Sequence, residues 1–542
     1  MIAELEALLD CYRAVNLSLP VVERSRVLTR VALELGSRLG VPVYLWNLGL
    51  SGWCEALWDS EPQRLRIETR PRLERPPTHE PLTAAAAALS VLEGDAFKCG
   101  LFVVEDLPSL LATGGPLSQS VRSTLVNLVY RFVSESGRFL LLLDTNEAQL
   151  PVSLSGIVPT FRLPLPAQAV LEEAIASELA ALGFGRCELR ELSRVALGLG
   201  SEEVRLGIRV TLARRQHGLG AELSWPALLL DYKVERFRAM GLHFLPRPEV
   251  PAFGGMDRLK AAIERVRVDF GLEARKYQIP LPKGWLLVGP PGTGKSLAVK
   301  VTAAELGFPL ILAEIGAVLS GGAAYLEGLL RRVEATAPVV LWLDEFDKFF
   351  TGKTPSGAEQ GHSAQILGVL LNWLQEKRSP VFVMAALNRL SVLPPELTRS
   401  GRFDKIFYVD FPQAIERKEI FELHLSRYDR RYAEEKSPLT EKEWHRLLNA
   451  TVKCSGAEIF EIVKNAALAQ YHAADENKNG FVYRLSLEEL LQERELITPL
   501  YARDTDRIIA MENQAKFVAE PVSSPDRSAF APVEQTLWGE RI

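Results

Sequence analysis

The segment Gly289-Pro-Pro-Gly-Thr-Gly-Lys-Ser296 constrains the fold of this chain more than any other. It follows an apolar run, Trp285 to Val288, and precedes a helix-forming stretch that begins at Leu297. Glycines in such a turn let backbone N–H groups face phosphate oxygens, and the helix N-terminus adds partial positive charge. A Gly-rich surface turn would not need this flanking strand and helix. The arrangement therefore predicts that the chain binds a nucleoside triphosphate.

The residue types in this loop suit both phosphate and a divalent cation. Lys295 is expected to reach the β- and γ-phosphate oxygens, and the Ser296 hydroxyl is expected to ligate Mg²⁺. The predicted cofactors are accordingly ATP and Mg²⁺. The predicted nucleotide contacts in this part of the chain are Gly289, Pro290, Pro291, Gly292, Thr293, Gly294, Lys295, Ser296 and Leu297.

Polar residues follow two further apolar runs. Val339 to Leu343 is followed by Asp344 and Glu345, and Val381 to Ala386 leads to Asn388. Beside a phosphate loop, Asp344 can hold Mg²⁺ through water, and Glu345 can act as the general base that polarises the attacking water. Asn388 is expected to orient that water. An acidic end to a buried strand is common by itself, so the prediction depends on the loop upstream.

Two arginines three residues apart precede the next apolar run, Ile406 to Val409. These are Arg399 and Arg402, within the sequence Arg-Ser-Gly-Arg-Phe-Asp. Arginines so placed can stabilise the charge that develops on a transferred phosphoryl group. We expect them to act on the site of a neighbouring subunit.

Taken in order, these motifs resemble an ATPase domain of the AAA family, from about Phe253 to Gln470. His424 matches the family's nucleotide-contacting histidine, and Gly456 and Ala457 lie in its Ser-Gly-Ala-acidic motif at the start of a lid helix. The Gly-Gly-Met-Asp257 stretch resembles the segment that lines the adenine pocket. The resemblance implies an α/β P-loop NTPase fold, with a parallel sheet of order 5-1-4-3-2 and a small helical lid.

The sequence between the motifs indicates a narrower group within this family. Leu371 to Lys377, Ser379 to Val383 and Leu393 to Leu397 resemble the hypothetical chloroplast reading-frame AAA ATPases of cyanobacteria and algae. This resemblance implies Mg-dependent ATP hydrolysis in a homo-oligomeric ring, such as a hexamer. It also implies remodelling, or regulated assembly, of a protein partner whose identity it does not provide.

One departure from the family keeps a second function open. Relatives that thread proteins carry an aromatic–hydrophobic–Gly loop facing a central pore, whereas this chain has a shortened stretch from Val318 to Tyr325. Leu319 or Tyr325 could substitute, but we expect no aromatic paddle there, and an aromatic ring would supply the contact area for pulling. The alternative function is a nucleotide-gated scaffold with slow turnover.

Composition limits the other classes of function. A net charge of −5 over 542 residues gives little attraction to nucleic acid, so a nucleic-acid remodeller is the weakest alternative. The five cysteines are scattered without a C-x-x-C pair, which argues against disulfides and a zinc site. The sequence contains neither a run of eighteen apolar residues nor a basic secretory start, so we predict no membrane span and a cytoplasmic protein.

The first 250 residues predict another α/β domain. Val43 to Leu48, Leu101 to Glu105, Arg138 to Leu143 and Thr160 to Leu163 read as strands separated by helices. Leu48 to Trp53 stands where a phosphate loop would, and Val104-Glu105-Asp106 where the Asp-Glu pair would. We expect a degenerate AAA-like module without a nucleotide site; an unrelated α/β domain is the alternative.

These observations divide the chain into six parts. We predict an N-terminal α/β domain over 1–166, a helical segment serving as its lid over 167–245, and a proline-rich linker over 246–252. The ATPase α/β domain then covers 253–412 and its helical lid 413–500. Helical periodicity fades after Arg494, and 501–542 is predicted to be a tail that is mobile from Pro521 onward.

Overall fold

The computed structural model of the protein describes residues 1–50, 52–59, 64–74, 80–94, 96–112, 115–145, 150–184, 189–218, 224–246, 254–350, 357–394, 397, 401–433, 437–473 and 482–531. The chain forms two compact units. The first comprises Met1–Lys233 with Glu327–Ala335, and the second comprises Val234–Leu326 with Thr336–Ile542. In these described ranges no helix combines the length and the apolar character needed to cross a membrane.

A seven-stranded sheet forms the centre of the first unit. Its strands are β1 Ala14–Ser18, β2 Val43–Trp46, β3 Gly52–Asp59, β4 Arg64–Glu74, β5 Gly100–Glu105, β6 Arg138–Asp144 and β7 Thr160–Arg162. They lie in the order β4-β3-β2-β5-β6-β1-β7. Strands β3 and β4 form an antiparallel hairpin at one edge, and the other five are parallel. Counted along the chain, the five parallel strands have the order 5-1-4-3-2.

Helices pack around this sheet and follow it. They are α1 Ile2–Tyr12, α2 Arg24–Arg30, α3 Gly36–Leu39, α4 Pro81–Glu93, α5 Leu107–Ala112, α6 Gly115–Ser134, α7 Val152–Ser155, α8 Gln168–Ala181, α9 Leu189–Ala196, α10 Ser201–Gln216 and α11 Trp225–Arg238. Strands β1, β5 and β6 are buried along their whole length, as parallel strands covered by helices on both faces should be. Leu101, Val103, Leu141 and Leu143 are among the core residues of one face, and Phe102, Val104, Leu140 and Leu142 among those of the other.

The first strand of this sheet changes one prediction. The strand that precedes Leu48 is β2, the second along the chain, so the prediction that Leu48 to Trp53 occupies the phosphate-loop position is wrong. The first strand is β1, which pairs with both β6 and β7. Its short sequence Ala-Val-Asn-Leu-Ser does not read as an apolar run because it contains Asn16 and Ser18, both of which are buried.

A second seven-stranded sheet forms the centre of the second unit. Its strands are β8 Leu242–Leu245, β9 Gly284–Val288, β10 Leu310–Ala313, β11 Val339–Leu343, β12 Val381–Leu387, β13 Lys405–Tyr408 and β14 Glu520–Pro521. They lie in the order β14-β13-β9-β12-β11-β10-β8. The parallel strands β13, β9, β12, β11 and β10 confirm the order 5-1-4-3-2 that the resemblance implies.

The helices of the second unit divide between the sheet and a lid. Those on the sheet are α12 Asp257–Asp269, α13 Leu272–Lys276, α14 Lys295–Leu306, α15 Ile315–Thr336 and α16 Gly357–Glu376. The lid and the segment after it contain α17 Ala414–Leu425, α18 Glu441–Ala450, α19 Gly456–Ala473, α20 Leu487–Leu496, α21 Leu500–Arg503 and α22 Thr505–Val518. Helix α15 is broken at Gly322, and its residues Glu327–Ala335 belong to the first unit.

Two predicted domain limits differ from the structure. Strand β8 lies within the predicted helical segment 167–245, yet it pairs antiparallel with β10 in the second sheet. The predicted linker lies outside the described residues except for Pro246. The described part of the predicted mobile tail is ordered, since β14 extends the second sheet and Val522 accepts hydrogen bonds from the backbone of α12.

Candidate functional site

The turn between β9 and α14 has the geometry of a phosphate loop. Gly292 and Gly294 have φ angles of 80° and 100°, which side chains other than glycine rarely tolerate. The Thr293 hydroxyl donates to the Pro290 carbonyl at 2.9 Å and closes the turn. Successive N–H groups in such a turn form a concave site for an anion at the start of the helix.

Lys295 lies inside this loop at the first residue of α14. Its Nζ donates to the carbonyl oxygens of Gly289 at 2.8 Å and Pro290 at 2.7 Å, and only 7% of the residue is exposed. Burial lowers the pKa of Lys295 to about 8, against the opposing effect of Asp344 and Asp347. The ammonium is therefore held where carbonyl oxygens only partly replace its hydration.

Polar groups from the neighbouring strand tips face the same loop. Asp344 and Glu345 follow β11, Asn388 follows β12, and all three line one cavity with the loop. Partial burial raises the pKa of the Asp344 carboxyl, while the Glu345 N–H donates to it at 2.9 Å. The Glu345 side chain is half exposed and forms an ion pair with Lys348. The tips of parallel strands thus collect acidic and amide groups at the phosphate end of the cavity.

The other end of the cavity is formed by the lid and by Gly254 and Met256. The cavity has a volume of about 510 Å³, which suits a small organic ligand. Burial, with a smaller effect of Arg427, lowers the pKa of His424 to about 4, so its imidazole is neutral near pH 7. Its buried Nδ1 atom has no hydrogen-bond partner within the described part of the chain. Gly456 and Ala457 of α19 also line the cavity.

Several residues that line the cavity were not predicted from the sequence as site residues. They are Gly254 and Met256, named only as part of a motif, together with Ile420, Leu423, Arg427 and Phe460. The ring of Phe460 lies 5.0 Å from that of His424. Ile420 precedes His424 by four residues and so shares its face of α17, which was a usable signal. Leu423 is adjacent to His424 and Arg427 follows the end of α17, so spacing did not reveal them. Phe460 depends on the packing of α17 against α19.

Of the nine predicted loop contacts, two do not reach this cavity. Pro291 to Leu297 line it, while Gly289 and Pro290 contribute the carbonyl oxygens that hold Lys295. Arg399 lies outside the described residues. Arg402 is described and partly buried, but it is not among the residues that line the cavity of its own chain.

The segment that carries Arg402 is fixed to the start of β9. The Asp404 carboxylate accepts hydrogen bonds from the N–H groups of Lys283 at 2.7 Å and Gly284 at 2.9 Å. Lys283 in turn donates its Nζ to the Gly401 carbonyl at 2.7 Å. These contacts hold the backbone on both sides of Arg402, and Lys283 and Asp404 were not predicted to have this role.

Comparisons with known proteins agree with a nucleotide-binding domain in this part of the chain. The model of the family "ATPase family associated with various cellular activities (AAA)" matches residues 285–411. The ycf46 AAA domain-containing protein of Guillardia theta is 29% identical over 411 residues, covering 73% of this chain and 76% of that protein. The Pyropia yezoensis protein of the same description is 29% identical over 419 residues, with 76% and 80% covered.

A solved structure, the AAA domain of FIGL-1, is 17% identical and covers 53% of this chain and 96% of that one, with a TM-score of 0.44. The family match spans the loop, the acidic strand tip and the strand after Arg402. The strand order of the second sheet agrees with it. Residues 285–411 therefore form an AAA-type domain, and the chain resembles the algal ycf46 AAA domain-containing proteins.

Proposed function

We propose that this chain binds ATP with Mg²⁺, hydrolyses it in a homo-oligomeric ring, and uses the cycle to remodel or regulate the assembly of a protein partner. The observation that carries the proposal is the convergence of the loop, Asp344, Glu345, Asn388 and the lid on one cavity. Fold alone would not carry it, because α/β sheets host many functions.

The residues of the cavity suit a triphosphate at one end and a base at the other. Backbone N–H groups of the loop would bind the phosphates, and Lys295 would exchange its two carbonyl partners for phosphate oxygens. The unpartnered Nδ1 of His424 and the ring of Phe460 offer a polar and an apolar contact to a base. Ser296 and Asp344 would hold Mg²⁺, which neutralises charge on the phosphates when bound.

Hydrolysis needs a group that takes a proton from water. The Glu345 carboxylate lines the cavity, half exposed and paired with Lys348, so water can reach it beside the phosphate loop. Asn388 would orient the water with its amide. Arg399 and Arg402 are proposed to reach the site of a neighbouring subunit and stabilise charge on the transferred phosphoryl group.

The nucleotide-gated scaffold remains the second candidate, and Tyr325 favours it. The hydroxyl of Tyr325 donates to the Met240 carbonyl, and its ring packs so closely on Gly321 that a Cβ there would lie 2.5 Å from the ring. Tyr325 is therefore engaged in packing and is not a free aromatic side chain for gripping a polypeptide. This observation weighs against threading and leaves hydrolysis untouched.

The test combines ATP binding with steady-state hydrolysis in three variants. Lys295→Ala should abolish binding, whereas Glu345→Gln should bind ATP and hydrolyse it about 10²- to 10⁴-fold more slowly, because only proton transfer is lost. Lys300→Ala, on the same helix as Lys295, is the control and should behave as the wild type. Normal affinity in Lys295→Ala would refute the site, and a near-zero wild-type rate with tight binding would favour the scaffold.

A further inference from the structure

The two units of this chain share one topology. In each sheet the five parallel strands follow the order 5-1-4-3-2 along the chain. A helix precedes the first strand in both, α1 before β1 and α12 before β9, and a group of helices follows the fifth strand in both. An unrelated α/β domain could adopt any of many strand orders, so the shared order favours a second AAA-type module in the first unit.

A backbone detail shows which residues correspond in the third parallel strands of the two sheets. Asp106, after β5, has a φ angle of 53°, and Glu345, after β11, has a φ angle of 50°. Positive φ is uncommon in residues other than glycine. Each of these residues is preceded by another acidic residue, Glu105 or Asp344. The Glu105–Asp106 pair thus corresponds to the Asp344–Glu345 pair of the nucleotide site.

The helices that follow agree at one further position. The carboxylate of Glu203 accepts from the Gly200 N–H at 2.8 Å and caps α10, and that of Glu458 accepts from the Ser455 N–H at 2.7 Å and caps α19. The carboxylate lies three residues after the capped N–H in both helices, although only Ser455 has a side chain that completes a capping box. This spacing places Glu202 of α10 at the position of Ala457, which lines the nucleotide cavity.

The loop after the first strand is where the two units differ. In the first unit, residues 19–23 form it, contain no glycine and end in the 3-10 turn Val21–Glu23. The phosphate loop of the second unit needs the positive φ angles of Gly292 and Gly294 to turn its N–H groups inward. The shorter loop therefore lacks the residues from which an anion-binding backbone is built.

In the first unit, side chains of the chain itself make the contacts that a bound nucleotide would otherwise make. Arg24 is the first residue of α2, as Lys295 is of α14, and it donates to both oxygens of Glu105 at 2.7 and 2.8 Å. Asn47 donates to the same carboxylate at 2.6 Å. Glu105, only 4% exposed, is thereby satisfied at the strand tip where Asp344 would meet Mg²⁺ in the second unit.

A second carboxylate joins the loop to the helix group. Glu23 is buried and accepts a hydrogen bond from the Glu202 N–H at 2.8 Å. In the second unit the equivalent Ala457 N–H donates to the Gly292 carbonyl at 3.3 Å. The first N–H groups of a helix have no partner within the helix, and here the chain itself supplies an acceptor for one of them.

We infer that the first unit is a second AAA-type module whose nucleotide position is filled by its own side chains. Hydrogen bonds from Arg24 satisfy the Glu105 carboxylate at the tip of β5. The hydrogen bond from the Glu202 N–H to Glu23 connects the loop after β1 to α10 without a ligand. The module therefore stays in one conformation through the ATPase cycle of the second unit. This goes beyond the proposed function, which concerns the second unit alone.

The first experiment counts nucleotides on the full chain by equilibrium dialysis of radiolabelled ATP with Mg²⁺. One ATP per chain is expected, and none in Lys295→Ala. Two per chain, or one remaining in Lys295→Ala, would overturn the inference while leaving the proposed function intact. No binding to the wild type would instead refute the proposed function.

The second experiment measures amide hydrogen exchange at the start of α10. ATP should leave the exchange of the Glu202 N–H unchanged, and Glu23→Ala should speed it roughly tenfold or more, since a hydrogen bond to a buried carboxylate is lost. Glu34→Gln removes an exposed carboxylate that pairs with Arg30 and is the matched control. Unchanged exchange in Glu23→Ala, or protection that appears only with ATP, would contradict the inference.

Discussion

His424 combines a neutral ring with an unsatisfied nitrogen, and both follow from its position between α17 and α19. Burial lowers its pKa from 6.5 to about 4, and its Nδ1 has no partner in the described part of the chain. An unfolded chain takes up a proton at its ordinary pKa, whereas the folded chain resists until the pH is much lower. Folding stability from this residue is therefore complete above pH 6.5 and decreases as the pH falls towards 4.

The first prediction concerns this pH dependence. Between pH 7 and pH 5 the wild-type second unit should lose roughly 1–2 kcal/mol because of His424, after allowance for its partial exposure. That corresponds to a melting temperature lower by roughly 3 °C for a unit of this size. His424→Phe keeps a ring against Phe460 and should lose less stability over the same range. Thermal unfolding of both proteins at the two pH values is the measurement.

The exposed His472 on α19 provides the control for this experiment. His472→Phe should retain the wild-type difference between pH 7 and pH 5, because this side chain is exposed. Equal pH sensitivity in the wild type and in His424→Phe would show that the neutral His424 does not limit acid stability.

At the scale of the element, motif chemistry made the second sheet predictable. The loop after β9 and the acidic residues after β11 can be recognised because phosphate binding requires particular residue types next to particular strands. Strands β2, β5 and β6 were predicted because parallel strands buried on both faces are apolar runs. The fold class therefore followed from the residues, whereas the strand order of the second sheet came from the resemblance to the AAA family that these motifs carry.

Other elements are held by contacts that leave no local pattern. Strand β1 contains Asn16, whose amide is partnered by the distant Thr160 hydroxyl at 3.3 Å. Strand β14 has only two residues and one is Pro521, so neither length nor composition predicts it. It forms because Phe407 and Tyr408 offer the open edge of β13 and because the residues after it bind carboxylates.

The second prediction tests those carboxylate contacts. The Ser523 hydroxyl donates to Glu416 at 2.6 Å, and Glu416 also holds the Met256 N–H at 2.9 Å beside the nucleotide cavity. The Ser524 hydroxyl donates to Asp257 at 2.6 Å. Because two hydrogen bonds to charged groups are lost, the double variant Ser523→Ala/Ser524→Ala should melt roughly 5 °C lower. It should also bind ATP more weakly, since Met256 loses support.

Calorimetry with and without ATP measures both effects. Ser320→Ala removes a serine hydroxyl of the second unit that donates to the Gly316 carbonyl rather than to a carboxylate, and should change neither quantity much. A double variant with wild-type melting and affinity would mean that the segment after β14 adds nothing to the site.

At the scale of the whole molecule, the described residues show two copies of one strand order, and one phosphate loop with the predicted nucleotide contacts around it. The first unit supplies carboxylates and Arg24 where the second supplies glycines and Lys295. Arg402 is held by Lys283 and Asp404, away from the cavity of its own chain. We expect a site that uses this arginine to be completed by another copy of the chain; that arrangement, the ring and the cytoplasmic location stay predictions.

The last prediction concerns sites in which one subunit provides Glu345 and its neighbour provides Arg402. Arg402→Ala subunits keep Glu345 but lack the arginine, and Glu345→Gln subunits have the reverse defect. In a ring with head-to-tail interfaces, co-expression at equal amounts should restore up to about a quarter of wild-type ATPase sites, because each site needs one subunit of each kind in a fixed order. Each variant alone should be nearly inactive, and specific activity of the wild type should rise with protein concentration as subunits assemble.

A matched control separates rescue across an interface from simple mixing. When the double variant Arg402→Ala/Glu345→Gln is co-expressed with Arg402→Ala, no subunit can supply Arg402, so no site is complete and no activity should return. Activity in this control would show that Arg402 is not required, whereas no rescue in the first mixture at any ratio would exclude catalysis across subunits by this residue. Arg402 would then have to act within its own chain, and the segment fixed by Lys283 and Asp404 would have to move during the reaction.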